Sequence, residues 1–358
     1  MDFTPSEEQG AAAGLAAQIF GDLATHERLG AAGTGSDAEL WKALCAAGLP
    51  GAVEEVGLLG LVLLLEEQGR TTAQVPLAAT AVYGILALAR HGGAEQRDRL
   101  LPGLRAGTTV ATGAFPARGS VRSPGGRLTG LLPAVPWLRD ATHVLVPDAD
   151  RTLWLVRTAD AETAPVETTA PWAAGRLLLD DTPAERIGTG PGPYEDVLAL
   201  ARTAFAGLQA GVCAGSLARA VEYTCTREQF GRPLSTNQGV QLKAADAYMD
   251  TEAIRVTAYE AAWRTDAGLP AREHALTAAW WAAEGGKRVV HTGQHLHGGM
   301  GADLDHPVHR HFLWGRQLDA YLGCGAELLA ELGAVLAAGP DPQAPPAPAS
   351  PATAKEPA

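Results

Sequence analysis

The chain has 358 residues, 28 Lys and Arg against 40 Asp and Glu, a formal net charge of −12 and a pI near 5.3. Single cores stop growing at roughly 250–300 residues, so two or three structural units are expected. The acidic balance argues against nucleic acid or an anionic membrane as the main partner, since either demands a basic face.

Cys45, Cys213, Cys225 and Cys324 show no CxxC pair and no metal-ligand spacing, which points to buried thiols in a reducing cytoplasm. The N-terminus, MDFTPSEEQGAAAG, lacks a basic region followed by an apolar core. The most apolar stretch, GLLGLVLLL at 57–65, is interrupted by Glu66 and Glu67, so neither a signal peptide nor a membrane span is expected.

From Ser6 to about Leu104, Ala and Leu recur at spacings of three and four, with breaks at Gly30–Gly35, Gly48–Gly51 and His91–Gly93. The segments SEEQ and SDAE (36–39) place Ser caps at two helix starts, and four or five helices are expected in a first unit, 1–107. Around Gly107 the texture changes. TTVATGAF, GRLTGLL, THVLVPDAD and TLWLVRTAD are short apolar or alternating runs between turn residues, the pattern of antiparallel strands in a small β unit, 108–190.

Helices return from Tyr194. One of about eight turns is expected through REQF, and a second is opened by the Ser/Thr/Asn cluster at 235–237 and closed by Gly268. Their length and their small residues suggest a close-packed bundle over 191–337. The Pro/Ala-rich tail, 338–358, has no apolar face to bury and is expected to be disordered.

Two stretches carry candidate chemistry. In REQFGRPLSTNQ (227–238), Arg227 and Arg232 flank a Phe and a Gly at an interhelical turn, which suits guanidinium forks gripping a phosphate while an aromatic packs on a ring. A plain turn with surface arginines is an equally good reading of that spacing. In HLHGGMGADLDHPVHRHF (295–312), Gly298, Gly299 and Gly301 allow close backbone approach to a ligand, or simply a tight corner. The histidines His295, His297, His306, His309 and His311 have no HExxH spacing, so no metal site is expected. Trp263, Trp280 and Trp281 fall in helical runs and read as packing residues.

Taken together, these stretches, about 70 residues apart and in this order, resemble the two C-terminal motifs of the acyl-CoA dehydrogenase family, and the likeness covers residues 1 to about 336. The resemblance implies a mainly α fold with a small β domain: an N-terminal helical domain, a middle antiparallel β-barrel or sandwich, and a C-terminal four-helix bundle. It also implies FAD lying across a subunit interface. By motif position Arg227 and Phe230 reach the pyrophosphate and adenosine of a neighbour's FAD, with Gln238 and the Gly298–Gly299 turn completing that cradle. His295 stands where the family usually has Gln.

YLGCG (321–325) is similar to the loop in which the family's catalytic Glu follows a tyrosine, with Tyr321 and Gly323 beside the substrate; here the position of the base is Leu322. Some members place the base before an arginine on the long helix, and those positions are Ala201 and Arg202, the arginine being a substrate-side residue. The removal of a carbon-bound proton needs a positioned base, and neither Leu322 nor Ala201 is ionisable. In the β unit Thr112 is the expected flavin contact, while the usual tryptophan position is nearer Ala134 and Trp137 is offset.

The resemblance therefore implies the non-catalytic subunit of a heteromeric, α2β2 acyl-CoA dehydrogenase of the actinobacterial steroid side-chain type. It would be cytoplasmic and handle acyl-CoA with a paralogous partner that supplies the Glu, with no nucleic acid or membrane partner. Alternatives are a chain that catalyses alone with Asp319, Tyr321 or His297 as base, a homomeric FAD-binding relative with other chemistry in secondary metabolism, and a structural protein without flavin.

Overall fold

The computed structural model describes residues 3–190 and 192–339, so the expected tail lies, from residue 340 onward, outside the described residues. The first part of the chain is helical: α1 (Glu7–Leu23), α2 (His26–Ala32), α3 (Ala38–Ala46), α4 (Leu49–Thr71), α5 (Leu77–Ala79), α6 (Ala87–His91) and α7 (Ala94–Arg105). A π-helical stretch, Thr80–Leu86, joins α5 to α6 without a break. There are thus more helices than the four or five expected, because the chain also breaks at Thr72–Pro76, where Thr72 takes a left-handed cap.

Ser6 caps α1 with a reciprocal Gln9 contact, as SEEQ predicts. At the second site the cap is Asp37, one residue later than expected, because the Ser36 hydroxyl is engaged by Asp140.

The β unit holds two four-stranded sheets. One has the order β1 (Ala111–Gly113), β4 (His143–Pro147), β5 (Leu153–Arg157), β8 (Glu185–Ile187). The other runs β2 (Val121–Arg122), β3 (Arg127–Val135), β7 (Gly175–Pro183), β6 (Glu162–Pro165). All the ladders between these strands are antiparallel except β1–β4, where Thr112 pairs with Val144 in parallel register. The sequence pattern cannot distinguish that pairing, since alternation marks a strand and not its partner.

The C-terminal part is α8 (Gly192–Thr226), a hairpin of β9 (Glu228–Gln229) and β10 (Arg232–Pro233), α9 (Gln238–Asp266), α10 (Arg272–His297), α11 (Pro307–Tyr321) and α12 (Gly325–Ala338). At 35 residues α8 is longer than the eight turns expected. Helix α8 is the central post. A Cβ on Gly207 or Gly211 would strike Val62 or the Glu66 backbone of α4, and one on Gly286 of α10 would strike Gln209, so these glycines let the helices touch.

By length and hydropathy α8 could cross a membrane, but 89% of its most apolar window is buried inside the protein. The run Pro307–Ala338, broken at Leu322–Cys324, passes the same measure and is 22% buried.

Polar contacts tie the helices together. Glu66, 5% exposed, receives Arg255 of α9 at 3.0 Å and the Tyr259 hydroxyl at 3.2 Å. At Gly57, whose φ of +72° kinks α4, the Asp266 carboxylate accepts from the N–H groups of Leu58 and Leu59. All four cysteines are unpaired, yet only Cys213 is buried; Cys225 and Cys324 lie at helix ends and are exposed, contrary to the burial expected for them.

Candidate functional site

Both motif stretches adjoin Tyr223 near the end of α8: the Arg227 N–H donates to the Tyr223 carbonyl at 2.8 Å, and the Tyr223 ring stacks on His297. The β9–β10 hairpin turns through Phe230 (φ +57°) and Gly231 (φ +74°), two consecutive left-handed residues as in a tight hairpin turn. A bulky residue in that conformation is strained, and this one gains nothing in return from its own chain, since Phe230 is 99% exposed. Arg227, Arg232, Gln238 and His295 are exposed as well. Asn237 caps α9 by accepting from the Gly239 N–H at 2.9 Å and so fixes Gln238 at the first helical position.

Across this surface α10 ends at His297, and Gly298 turns the chain with φ +60°. The corner is held from within: the Gln294 side chain donates to the Gly301 carbonyl at 3.0 Å, and His297 stacks on Tyr223 with ring centroids 4.8 Å apart. Gly299 is different. It has no positive φ, and a Cβ there would meet no atom within 4 Å, so the chain's own packing does not require a glycine. A bare backbone facing open space is suited to a ligand that comes close from outside.

The second half of the site lies inside, where the β unit meets the bundle, and it is full of aromatic rings. Trp137 stacks on Trp172 at 4.4 Å, Trp172 meets Trp314 and Tyr321 edge-on at 5.5 and 6.0 Å, and Phe205 packs on Tyr321 at 5.0 Å. Phe115 stacks between Tyr83 and Tyr194 at 5.0 and 5.5 Å. Within this cluster the Tyr83 and Tyr321 hydroxyls are 3.0 Å apart, and burial raises both phenol pKa values. The indole N–H groups of Trp137, Trp172 and Trp314 are buried without partners among the described residues.

Thr112, the expected flavin contact, is buried, and its hydroxyl donates to the Pro136 carbonyl at 2.6 Å. Leu322 and Ala201 are both buried. The cavity at Leu322, lined also by Arg202, Phe205, Leu318 and Tyr321, is about 20 Å³. That is room for roughly one water, far below the roughly 300 Å³ of an ordinary ligand pocket.

Outside Leu322 and Gly323 opens a polar vestibule of about 240 Å³. Arg202, 7% exposed, donates from both terminal nitrogens to Glu331 at 2.9 and 2.7 Å. Arg272 approaches Glu331 at 3.8 Å and Glu195 at 3.3 Å, and Arg151 also pairs with Glu195. The Arg202 hydrogen bonds hold the Glu331 carboxyl below its usual range, which makes it a weak base.

Of the three alternative bases, only Tyr321 lines the small cavity. Asp319 pairs with Arg316 at 3.1 Å, and His297 belongs to the glycine corner. Glu327 and Glu331 were not singled out from sequence; the available signal was their spacing of four residues on the helix directly after YLGCG.

The described geometry thus brings Arg227, Phe230, Gln238, His295, Gly298 and Gly299 to the exposed half of the site. It gathers Thr112, Ala201, Arg202, Tyr321, Leu322 and Gly323 in or beside the buried half.

Comparison with known proteins gives this arrangement a family. The N-terminal domain model of acyl-CoA dehydrogenases matches residues 10–108, and the C-terminal domain model matches 188–336. Acyl-CoA dehydrogenase FadE27 of Mycobacterium tuberculosis is 35% identical over 95% of this chain and 100% of its own length. The ChsE4–ChsE5 complex from the same organism contains a chain 33% identical, with a TM-score of 0.89 over 95% of this chain and 100% of that one. The Tcur3481–Tcur3483 steroid ACAD contains one 43% identical, with a TM-score of 0.87 over 93% of this chain and 98% of that one. With both domain models in order and a curated relative matched along its whole length, the chain belongs to the acyl-CoA dehydrogenase family.

Proposed function

We propose that the chain is the non-catalytic subunit of a heteromeric acyl-CoA dehydrogenase, in which it supplies the adenine-side clamp for FAD held by a paralogous partner. The observation that carries this reading is the contrast between the two halves of the site: an exposed, strained Phe230 and an open glycine corner, against an interior filled by the stacked rings of Trp137, Trp172 and Tyr321.

FAD is the family's cofactor, and the residues present fit one part of it. Arg227 can pair with a pyrophosphate, Phe230 can pack on adenosine, and Gln238, His295 and the Gly298–Gly299 turn can close the cradle. They do not fit the isoalloxazine ring within this chain, where Trp137, Trp172 and Tyr321 fill the interior and the Thr112 hydroxyl is committed to a backbone carbonyl.

Dehydrogenation of an acyl-CoA requires a base for the α-proton, and this chain has Leu322 and Ala201 where the family places one. In the proposed complex the partner contributes the carboxylate and the ring pocket. This chain contributes binding and orientation.

The surface supports a protein partner. On α9, which begins where the hairpin ends, Leu242, Met249 and Val256 are seven residues apart and 50–62% exposed. Such a stripe on one helical face is a protein-docking feature. A chain of the steroid ACAD is 43% identical, and this favours a steroid side-chain CoA as the complex's substrate and an α2β2 assembly in the cytoplasm. We further assign the unit boundaries as 1–107, 108–190 and 191–337.

The test is co-expression with a paralogous acyl-CoA dehydrogenase chain that carries the Glu, using this chain as wild type and as Arg227→Ala/Phe230→Ala. The complex should form in both cases but lose about tenfold or more in FAD affinity with the double variant, as expected for a removed charged contact and an aromatic anchor. Unchanged flavin retention would contradict the clamp.

A further inference from the structure

The last helix is attached in an unusual way. Helix α12 has only Gly325 and Leu328 buried, while Leu329 and Leu336 are 54% and 60% exposed. Its apolar contacts are a small satellite cluster around Leu276 and Leu328 on α10 and α12, separate from the main core. Few buried apolar contacts place an element at the low-stability end of a fold.

Leu328, Leu332 and Val335 form that one seam with α10, and charge holds the helix on its other side. Glu331 accepts from both terminal nitrogens of Arg202 in a fork, and Arg202 lies on the buried post α8. One turn earlier Glu327 lies 3.7 Å from Arg118 of the β unit, and it also caps its own helix by accepting from the Cys324 N–H at 3.1 Å. The helix therefore reaches across the vestibule and ties down both walls. Its hinge is built in: Gly323, with φ +124°, lies between the end of α11 and the cap of α12.

We propose that α12 is a charge-locked cover over the vestibule in front of Leu322, held shut by the fork of Arg202 on Glu331 and able to lift as a unit about Gly323. The residues that a substrate would first meet on the way to Leu322 are thus occupied from within the chain. An incoming anionic group must displace Glu331 before it can reach Arg202. This role stands apart from the FAD clamp and does not depend on it: the cover acts at the buried half of the site, the clamp at the exposed half.

Amide hydrogen exchange by mass spectrometry on the full chain tests the cover without a ligand. Glu331→Gln keeps the shape and removes the charge, and peptides spanning 325–338 should exchange about tenfold faster, with α9 and β3 unchanged, because a hydrogen bond to a charged group is lost. Wild-type protein moved from low salt to 1 M NaCl should show the same selectivity with an increase of about threefold, since the Glu331 side is open to screening. Exchange in 325–338 that is unaltered by either change, or that rises equally through α8 and α9, overturns the proposal.

Discussion

The exposed and buried halves of this site obey opposite physical rules. At the surface, Phe230 holds a left-handed conformation with its ring in solvent, and Gly299 leaves open space that no neighbouring side chain claims. Inside, Trp137 and Trp172 stack in a packed interior where the family's chemistry would need room. The first region is costly for a lone chain, and under the proposed function a complex would use it; the second stabilises the chain by close packing. One scaffold thus carries an open surface corner and an interior filled with stacked rings.

The comparison can be broken most forcefully from the inside. Trp172→Ala should cost about 3–5 kcal/mol in urea unfolding, because a fully buried ring is removed from a tight aromatic cluster. A cost below about 1 kcal/mol would mean that the interior is loosely filled and that the contrast with the surface fails.

A smaller effect lies in the shared scaffold. His311 of α11 is buried, with Nε2 3.0 Å from the Arg70 carbonyl, and burial pulls its pKa down to about 4. The folded state therefore binds this proton less readily than the unfolded chain. The stability it protects is fully present above about pH 6.5 and is lost as the pH falls from there toward 4, amounting to about 3 kcal/mol. Unfolding measured at pH 7 and pH 4.5 should show a steeper acid loss for wild type than for His311→Gln. Equal slopes would contradict the burial of a neutral ring.

The smallest expected change is at the surface and has the opposite sign. Phe230→Gly should stabilise the chain alone by about 1 kcal/mol, since glycine accepts the left-handed conformation freely and no buried contact is lost. The same change should weaken FAD retention in the co-expressed complex. Gain in one assay with loss in the other is the mark of strain kept for a partner.

Much of the exposed half was legible in the sequence, because its signals are local. REQFGRP encodes an interhelical turn, although α8 stops at Thr226 and a hairpin replaces the helix expected through REQF; Asn237 encodes a cap and HGGMG a corner from residues within a few positions. For the buried half the sequence offers only the motif positions of Leu322 and Ala201 and the offset of Trp137, all through resemblance and none from a local signal. Its aromatic filling joins Tyr83, Phe115, Trp172 and Tyr321 from four distant segments, which periodicity cannot connect. The parallel β1–β4 pairing and the Arg202–Glu331 fork were hidden for the same reason. Asp37 replaced Ser36 as a cap through a tertiary contact, Ser36 to Asp140, that has no local signature.

The most direct test of the account is the visible absorption spectrum of this chain, purified alone and after co-expression with a paralogous acyl-CoA dehydrogenase chain. The account predicts no bound flavin in the lone chain, and a flavin spectrum with acyl-CoA oxidation only when the partner is present. Stoichiometric flavin held by the lone chain would contradict it, because the proposed function leaves the ring pocket to the partner.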